Sequence, residues 1–375
     1  MPTGGQSRAS RAARKPVMFD VARRAGVSQK TVSRVVNNEP HVRETVRARV
    51  QQAIDELGYR PNATARALVR QRSSVVGIVA PGIALYGPTA QLFGLERAAR
   101  EAGYGVVIVT TADDSQADLE AAVLRLVNLG AEGLILGGPL ADSRLPAGTF
   151  HGVPFVTVGD PLPALADHAW VAFDQPAGAQ QATEHLLELG HRTVWHVAGP
   201  DSWYSARARR AGWERALDAA GAQIPEPLIG DWTAASGYAA GLLLADRPDV
   251  TAVFAANDHM AVGLLRACHE RGRAVPGDVS VVGFDDAPDS EFATVPLTTI
   301  RQDFTVISQA ALAALLTVMN GGPVSQDVTC LPVHLVVRGS AGRCALTALE
   351  RAPPATPRAS DRTNRPQRRM TSHPN

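Results

Sequence analysis

The sequence predicts two architectures in one chain: an N-terminal all-α helix-turn-helix headpiece and, behind it, an α/β core of two doubly wound parallel-sheet lobes. Three observations predict this. The run from Phe19 to Asn37, FDVARRAGVSQKTVSRVVN, has the spacing of two short helices crossed at a tight turn. From Val75 onward, short β-branched runs alternate with amphipathic stretches, the pattern of parallel strands joined by helices. The chain, at 375 residues, is also long enough for a small headpiece plus two lobes of ordinary domain size.

In the first helix Val21, Ala22 and Ala25 form one apolar stripe, and in the second Val32, Val35 and Val36 form another, both at three- and four-residue steps. Between them Gly26 tolerates a left-handed backbone, Val27 plugs the corner and Ser28 is a good N-cap. Gln29, Lys30, Ser33 and Arg34 then fall at the start and on the outer face of the second helix, where a recognition helix presents side chains to the DNA major groove. Lys30 and Arg34 suit guanine and Gln29 suits adenine, while Ser28, Thr31 and Asn37 are candidates for the phosphate backbone. A solvated charged helix in an ordinary bundle is the competing reading of these residues.

After a third helical stretch, ETVRARVQQAIDELGY, comes RPNATARALVRQRSS, with Pro61 as a stop and Asn62 as the cap of one short helix. Ala65 and Leu68 share a face, Arg66 and Arg70 suit phosphates, and the alanines let two copies approach closely. An apolar side chain such as Leu68, carried to a minor groove with Asn62 and Ala65 beside it, is a wedge that unstacks a base step. Alone, the segment reads as a basic linker.

The strand-like runs are VVGIVAP, GVVIVTT, GLILGGP, PFVTVG, TVWHVAGP, AVFAAND and VSVVGFDD, and they place one lobe at about 74–172 and a second at about 173–300. Ligands of such sheets bind beyond the carboxyl ends of the strands, so two facing lobes predict a site in the cleft between them. Asn257 and Asp258 end one strand, Asp285 and Asp286 end another, and Asp160 follows a third; Arg209 lies on the helix after TVWHVAGP and Trp232 in the GDW loop. A sugar requires carboxylate and guanidinium contacts to adjacent hydroxyls, an amide, and an aromatic plate for its apolar face, all of which this set supplies. Asp286 is read as a helix cap and Trp213 as a packing residue.

The near-neutral net charge of +1 conceals an asymmetry: counting Lys and Arg against Asp and Glu gives +10 for residues 1–74, −15 for 75–337 and +6 for 338–375. A basic headpiece on an acidic body keeps DNA at one end of the molecule. Cys268, Cys330 and Cys344 lack ligand spacing and fit a reducing cytoplasm, and no apolar run reaches membrane-spanning length. The Arg-rich opening and the Arg/Pro-rich tail read as disordered. Enzyme signatures are missing: no GxGxxG, GxxxxGK or GxSxG occurs at the required place, and His185, His191 and His196 do not have HExxH spacing.

DVARRAGVSQKTVSRVVN followed by ELGYRPNATARAL resembles the headpiece and hinge helix of the lactose-repressor (LacI/GalR) family of bacterial transcription regulators. IALYGP, HLLELGHRTV, AGPDSWYSARARRAGW, GDWTAASGY, AANDHMAVGLL, PGDVSVVGFDD and PLTTIRQDF continue the match in the expected order. The resemblance implies a disordered arm at 1–15, a DNA-binding headpiece at 16–60, a hinge helix at 61–73, and a periplasmic-binding-protein-like core at 74–342, with a disordered tail at 343–375. It further implies that the chain crosses back, about 301–331 finishing the first lobe and the last strand, VHLVVRGS within 332–342, finishing the second.

By the same resemblance Arg209, Asn257 and Asp285 hold sugar hydroxyls, Trp232 stacks on the ring, Gln302 lines the cleft, and Leu85, Pro88 and Gln91 give the first lobe an apolar wall. Three positions depart from the family pattern: Gly159 stands where many members carry Asp, Gly137 where the family's namesake carries an amide, and Val17 where a Thr often caps the first helix. The function implied is a cytoplasmic, nucleoid-associated repressor of sugar-utilisation genes, a homodimer on a pseudopalindromic double-stranded operator whose affinity is set by a sugar effector. Neither cofactor, metal nor membrane partner is expected. A sugar-binding protein without a DNA role and an α/β sugar-modifying enzyme are the alternatives.

Overall fold

The computed structural model describes residues 16–37, 39–60, 73–112, 115–138, 145–160, 162, 168–323 and 329–344. The arm at 1–15, the hinge positions Asn62, Ala65, Arg66, Leu68 and Arg70, and the tail from 345 lie outside the described residues.

Three helices make the headpiece: α1 (Met18–Ala25), α2 (Gln29–Val36) and α3 (Glu44–Leu57). Their apolar stripes close on one small core of Val21, Ala22, Ala25, Val32, Val35, Val50, Ala53 and Tyr59. Gly26 ends α1 at φ +63°, and the Ser28 hydroxyl caps α2 by accepting the Thr31 N–H at 3.1 Å. Val17 has no side-chain oxygen to cap α1; the cap survives as its other half, the Val17 N–H donating to the Asp20 carboxylate at 3.0 Å.

Two six-stranded sheets form the core. The first contains β1 (Val75–Pro81), β2 (Gly105–Thr111), β3 (Gly133–Gly137), β4 (Phe155–Val158), β5 (Ala169–Phe173) and β11 (Thr329–Leu331), in the order β11-β5-β4-β3-β1-β2, all parallel. The second contains β6 (Trp195–Ala198), β7 (Leu228–Ile229), β8 (Ala252–Ala255), β9 (Ser280–Asp285), β10 (Thr298–Arg301) and β12 (His334–Val336), in the order β12-β10-β9-β8-β6-β7. Helices α4 (Tyr86–Glu101), α5 (Gln116–Asn128) and α10 (Phe304–Met319) cover the first sheet; α6 (Gln175–Glu188), α7 (Tyr204–Ala219), α8 (Ala234–Ala245) and α9 (Asp258–Glu270) cover the second.

The chain passes between the sheets three times, after Phe173, after Arg301 and after Leu331. All three passages start at carboxyl ends of strands, so those ends face each other across the cleft. The third passage goes directly from β11 into β12 and therefore enters the second sheet from the cleft side. β12 accordingly runs antiparallel to β10, with Ile300 opposite Leu335, where the alternation of strand and helix predicts parallel pairing.

Strand interiors such as Val76, Ile135, Val156, Phe254, Val282 and Ile300 are buried. α8 and α9 meet at glycines: a β-carbon at Gly263 would lie 1.9 Å from the Ala234 carbonyl oxygen, and one at Gly237 would lie 2.1 Å from that of Met260. Trp213 packs in the core as expected, its indole N–H donating to the Val194 carbonyl at 2.9 Å. His185 lies on α6, His191 just past its end and His196 in β6; His191 ties Thr251 and Ser280 together through its two ring nitrogens. Among the described residues no group of three or more His, Cys, Asp or Glu is arranged to hold a metal ion, and no helix is long and apolar enough to cross a membrane. Cys344, placed by the sequence in the tail, is buried and donates its N–H to the Leu189 carbonyl at 3.0 Å.

Candidate functional site

Between the sheets lies a cavity with an empty volume of about 900 Å³. The first lobe contributes a mainly apolar wall that includes Val79, Pro81, Leu85, Pro88, Leu92 and Val158, with Gln91 as a polar side chain among them. The second lobe contributes Ser205, Arg209, Trp232, Asn257 and Asp285, and the passages between lobes contribute Phe173, Gln175, Gln302 and Phe304.

The polar floor is a closed ring of four side chains. Arg209 Nε donates to Gln175 Oε1 at 2.8 Å, Gln175 Nε2 to Gln302 Oε1 at 2.9 Å, and Gln302 Nε2 to Asp285 Oδ1 at 2.7 Å; Asp285 Oδ1 closes the ring 3.5 Å from Arg209 Nη2. Arg209 also donates through Nη1 to the Ala256 carbonyl, and its guanidinium lies 3.8 Å from the Phe284 ring centre. Every buried donor so used is one that would otherwise cost free energy.

Asp285 ends β9 with its backbone at φ +112°, a conformation rare for a residue bearing a β-carbon. Burial pushes its carboxyl up to about 7; Arg209 opposes that rise and the nearby Asp258 carboxylate adds to it. Burial likewise holds Asp258 at about 6 although the Thr299 and Ser290 hydroxyls and the Ala287 N–H all donate to it. Asn257 caps α9 by accepting the Met260 N–H at 2.9 Å and donates to the Trp232 carbonyl at 3.0 Å. Trp232 itself is at φ +73°, packed against Gly199, and its buried indole N–H has no hydrogen-bond partner among the described residues.

The seven cleft residues expected from the sequence, Leu85, Gln91, Arg209, Trp232, Asn257, Asp285 and Gln302, are thus gathered around one cavity, together with Pro88, Gly137, Gly159 and Asp160. Gly137 makes room for Gln91, whose Nε2 would be 2.9 Å from a β-carbon there. Asp286 does not cap a helix. Its carboxylate instead pairs with Arg301 (2.5 Å) and Arg338 (2.7 Å), two cations remote in the chain that compensate its charge. Of the adjacent pair Asp285 and Asp286, Asp285 alone lines the cavity.

Gln175, Phe173, Phe304 and Trp203 line the cavity without having been singled out in the sequence. For Gln175 a signal existed: Asp174 caps α6 immediately after β5, so the DQP triplet marks another strand end facing the cleft.

On the headpiece, Gln29, Lys30 and Arg34 are exposed along α2 and Ser33 is half-buried. Arg34 pairs with Glu39 at 3.5 Å, Asn37 Nδ2 donates to the Ser33 hydroxyl at 3.2 Å, and the Ser28 and Thr31 hydroxyls are 2.9 Å apart. The outer face of α2 therefore presents a long amide, an ammonium and a guanidinium to solvent.

Residues 17–62 match the family model described as bacterial regulatory proteins, lacI family, and residues 183–341 match a periplasmic binding protein-like domain. The chain is 38% identical over 330 residues to the lactose operon repressor of Escherichia coli K12, covering 86% of this chain and 90% of that protein. Among solved structures, the lac repressor dimer bound to operator and the anti-inducer ONPF superposes with a TM-score of 0.81 at 34% identity, covering 88% of this chain and 100% of that one. The complex of the transcriptional regulator CelR with cellobiose superposes with a TM-score of 0.66 at 34% identity, covering 87% of this chain and 100% of that one.

Proposed function

The chain belongs to the lacI family of bacterial regulatory proteins, and from that premise we propose that it represses sugar-utilisation genes under the control of a sugar held between its lobes. It is a DNA-binding transcriptional regulator with a two-lobed α/β core, not an enzyme. The observation that carries the sugar reading is the ring of Arg209, Gln175, Gln302 and Asp285 facing an apolar wall. A carboxylate and a guanidinium with spare hydrogen-bonding capacity suit adjacent hydroxyls, and Trp232 supplies a plate for the C–H face of the ring. Relatives hold ligands in the same fold, cellobiose in CelR and ONPF in the lac repressor.

In this reading Gln29, Lys30, Ser33 and Arg34 read base edges, with Ser28, Thr31, Asn37, Arg66 and Arg70 on phosphates. Two copies pair on a pseudopalindromic operator, and paired hinge segments place Asn62, Ala65 and Leu68 at its central minor groove. The protein works in the cytoplasm, on the nucleoid. A sugar bridging the floor and the first-lobe wall changes how the lobes sit about their three passages, and so how two first lobes meet; a coupling of about 1–3 kcal/mol gives a useful switch.

The test is the affinity of the purified protein for DNA selected from a random pool, at one fixed salt concentration, with and without a panel of mono- and disaccharides. A palindromic site released by one sugar is the expected outcome. Salt-sensitive binding without a preferred sequence would refute the base-reading role of α2, and a site indifferent to every sugar would refute the effector role.

A further inference from the structure

Asp285 and Asp286 are consecutive, yet their carboxylates have entirely different partners. Both residues have positive φ, +112° and +55°, a pairing rare for residues that bear a β-carbon and one that persists where the surroundings fix the chain from more than one side. Asp285 Oδ1 meets Gln302 and Arg209 in the floor of the cavity. Asp286, which does not line the cavity, accepts from Arg301 Nε through Oδ2 at 2.5 Å and from Arg338 Nη2 through Oδ1 at 2.7 Å.

Two of these partners are consecutive as well. Arg301 ends β10 and Gln302 opens the second passage between the lobes, so Asp285 holds Gln302 while Asp286 holds Arg301. Arg338 follows β12, the strand that the third passage delivers, and it is itself fixed to the start of β10: its N–H donates to the Thr298 hydroxyl at 2.9 Å and its Nη1 to the Leu297 carbonyl at 2.8 Å. One carboxylate therefore joins the end of β9 to the end of β10 and to the segment beyond β12. The side chains of Asp286 and Arg338 are 9% and 12% exposed and that of Arg301 is 55% exposed, so one arm of this clamp is shielded and the other meets solvent.

Consecutive α-carbons stay about 3.8 Å apart, so the backbone at Asp285 cannot shift toward a bound ligand without carrying Asp286, and the same holds for Gln302 and Arg301. With the clamp closed, the floor and the start of the second passage move as one piece. With it open, the floor adjusts to a ligand while the passage stays where it is.

We propose, resting on the sugar reading above, that Asp286 is a positioning residue of the switch: its clamp on Arg301 and Arg338 makes the second passage follow the floor when a sugar binds. A carboxylate that only stapled β9 to its neighbours would contribute to stability and leave the response to sugar unaltered.

The deciding experiment uses the full-length protein, DNA selected from a random pool, and glucose, galactose, lactose, cellobiose and maltose as probes. For the parent, Arg301→Gln, Asp286→Asn and the double variant, calorimetry gives sugar affinity without DNA. Binding to the selected DNA at one salt concentration gives the factor by which sugar changes it. Both single variants should bind sugar, and sugar-free DNA, within about twofold of the parent, while that factor, about 5–150 for a coupling of ordinary size, falls about threefold or more. The double variant should lose no more than Asp286→Asn alone, because both changes open one clamp. Asp286→Asn leaves the shielded Arg338 without its counter-charge; if it fails to fold, Arg301→Gln, which keeps that pair, decides alone. An unchanged factor in Arg301→Gln, with or without a lowered urea midpoint, would reduce the clamp to a staple and overturn the proposal while leaving the sugar reading intact. A loss of sugar affinity as large as the loss of the factor would do the same. Failure of every sugar to bind the parent, or to change its DNA affinity, would overturn both.

Discussion

The indole of Trp232 rests on the bare α-carbon of Gly199, so closely that a β-carbon there would sit 2.3 Å from the ring. Because Trp232 is also tied by its carbonyl to Asn257, the ring cannot retreat without disturbing the cap of α9. Gly199→Ala should therefore displace the aromatic plate: sugar affinity falls by about tenfold while sugar-free operator binding is retained. Calorimetry and a DNA-binding assay on the same preparation check this; unchanged sugar affinity would mean that Trp232 is not part of the binding surface.

Two other glycines should respond oppositely to the same change. At Gly137 an added methyl is crowded by the movable end of Gln91 and meets the Val79 and Val158 carbonyls at ordinary contact distance, so Gly137→Ala should fold normally and alter which sugars are accepted. At Gly263 it would meet the Ala234 carbonyl at 1.9 Å and the Tyr238 nitrogen at 2.5 Å, forcing α8 and α9 apart. Gly263→Ala should lose about 3 kcal/mol of stability in a urea titration.

Opening the ring should uncouple sensing from DNA binding. Gln175→Leu strands Arg209 Nε and Gln302 Oε1 in a buried site, which costs about 1–3 kcal/mol for each group left unsatisfied. Arg209→Ala removes the guanidinium altogether. Both variants should lose operator release by sugar yet bind operator as the parent does, and a normal response in Arg209→Ala would remove that residue from the site.

Stability should depend on pH with a sign set by burial. Asp285 (about 7) and Asp258 (about 6) hold protons more tightly folded than unfolded, so their contribution is complete below the ordinary value of 3.8 and is lost as pH rises through 6 to 7. His196, pushed down to about 4, acts the other way: its contribution is lost as pH falls from 6.5 toward 4. Asp285→Asn isolates one group. The melting temperature of the parent relative to this variant should decline from about pH 4 to about pH 7 and then level; a difference independent of pH would contradict the raised carboxyl.

In the headpiece, Val17 has the extended backbone of an N-cap (φ −115°, ψ 165°) without a side-chain acceptor. Val17→Thr should supply the missing half of the capping box and stabilise the isolated headpiece by about 0.5–1 kcal/mol, read from its thermal unfolding.

What was legible in the sequence was what short-range physics controls. The corner at Gly26, the cap at Ser28 and the stripes of α1 and α2 depend on residues within one or two turns, and polar residues at the ends of β8 and β9 announce the cleft because strand ends carry ligand sites. Residues whose partners are remote in the chain were not legible. Gln175 is held by Gln302, 127 positions away, and Asp286 by Arg301 and Arg338, 15 and 52 positions away; the DQP triplet marks the place of Gln175 at a strand end, but neither residue's partners leave a local pattern. The reversed direction of β12 follows from a two-residue passage out of β11, a matter of geometry between lobes rather than of composition.

The two walls of the cavity carry unequal structural obligations. Asn257 caps a helix and anchors the Trp232 loop, and Arg209, Gln175, Gln302 and Asp285 hold one another; altering any of them disturbs its neighbours. Gln91 and Gly137, across the cleft, adjust to each other at the tip of one flexible side chain. On the sugar reading proposed above, substitutions on the apolar wall should retune which carbohydrate is accepted while leaving the floor in place, and the same asymmetry makes that wall the place to begin in building a biosensor for a new one.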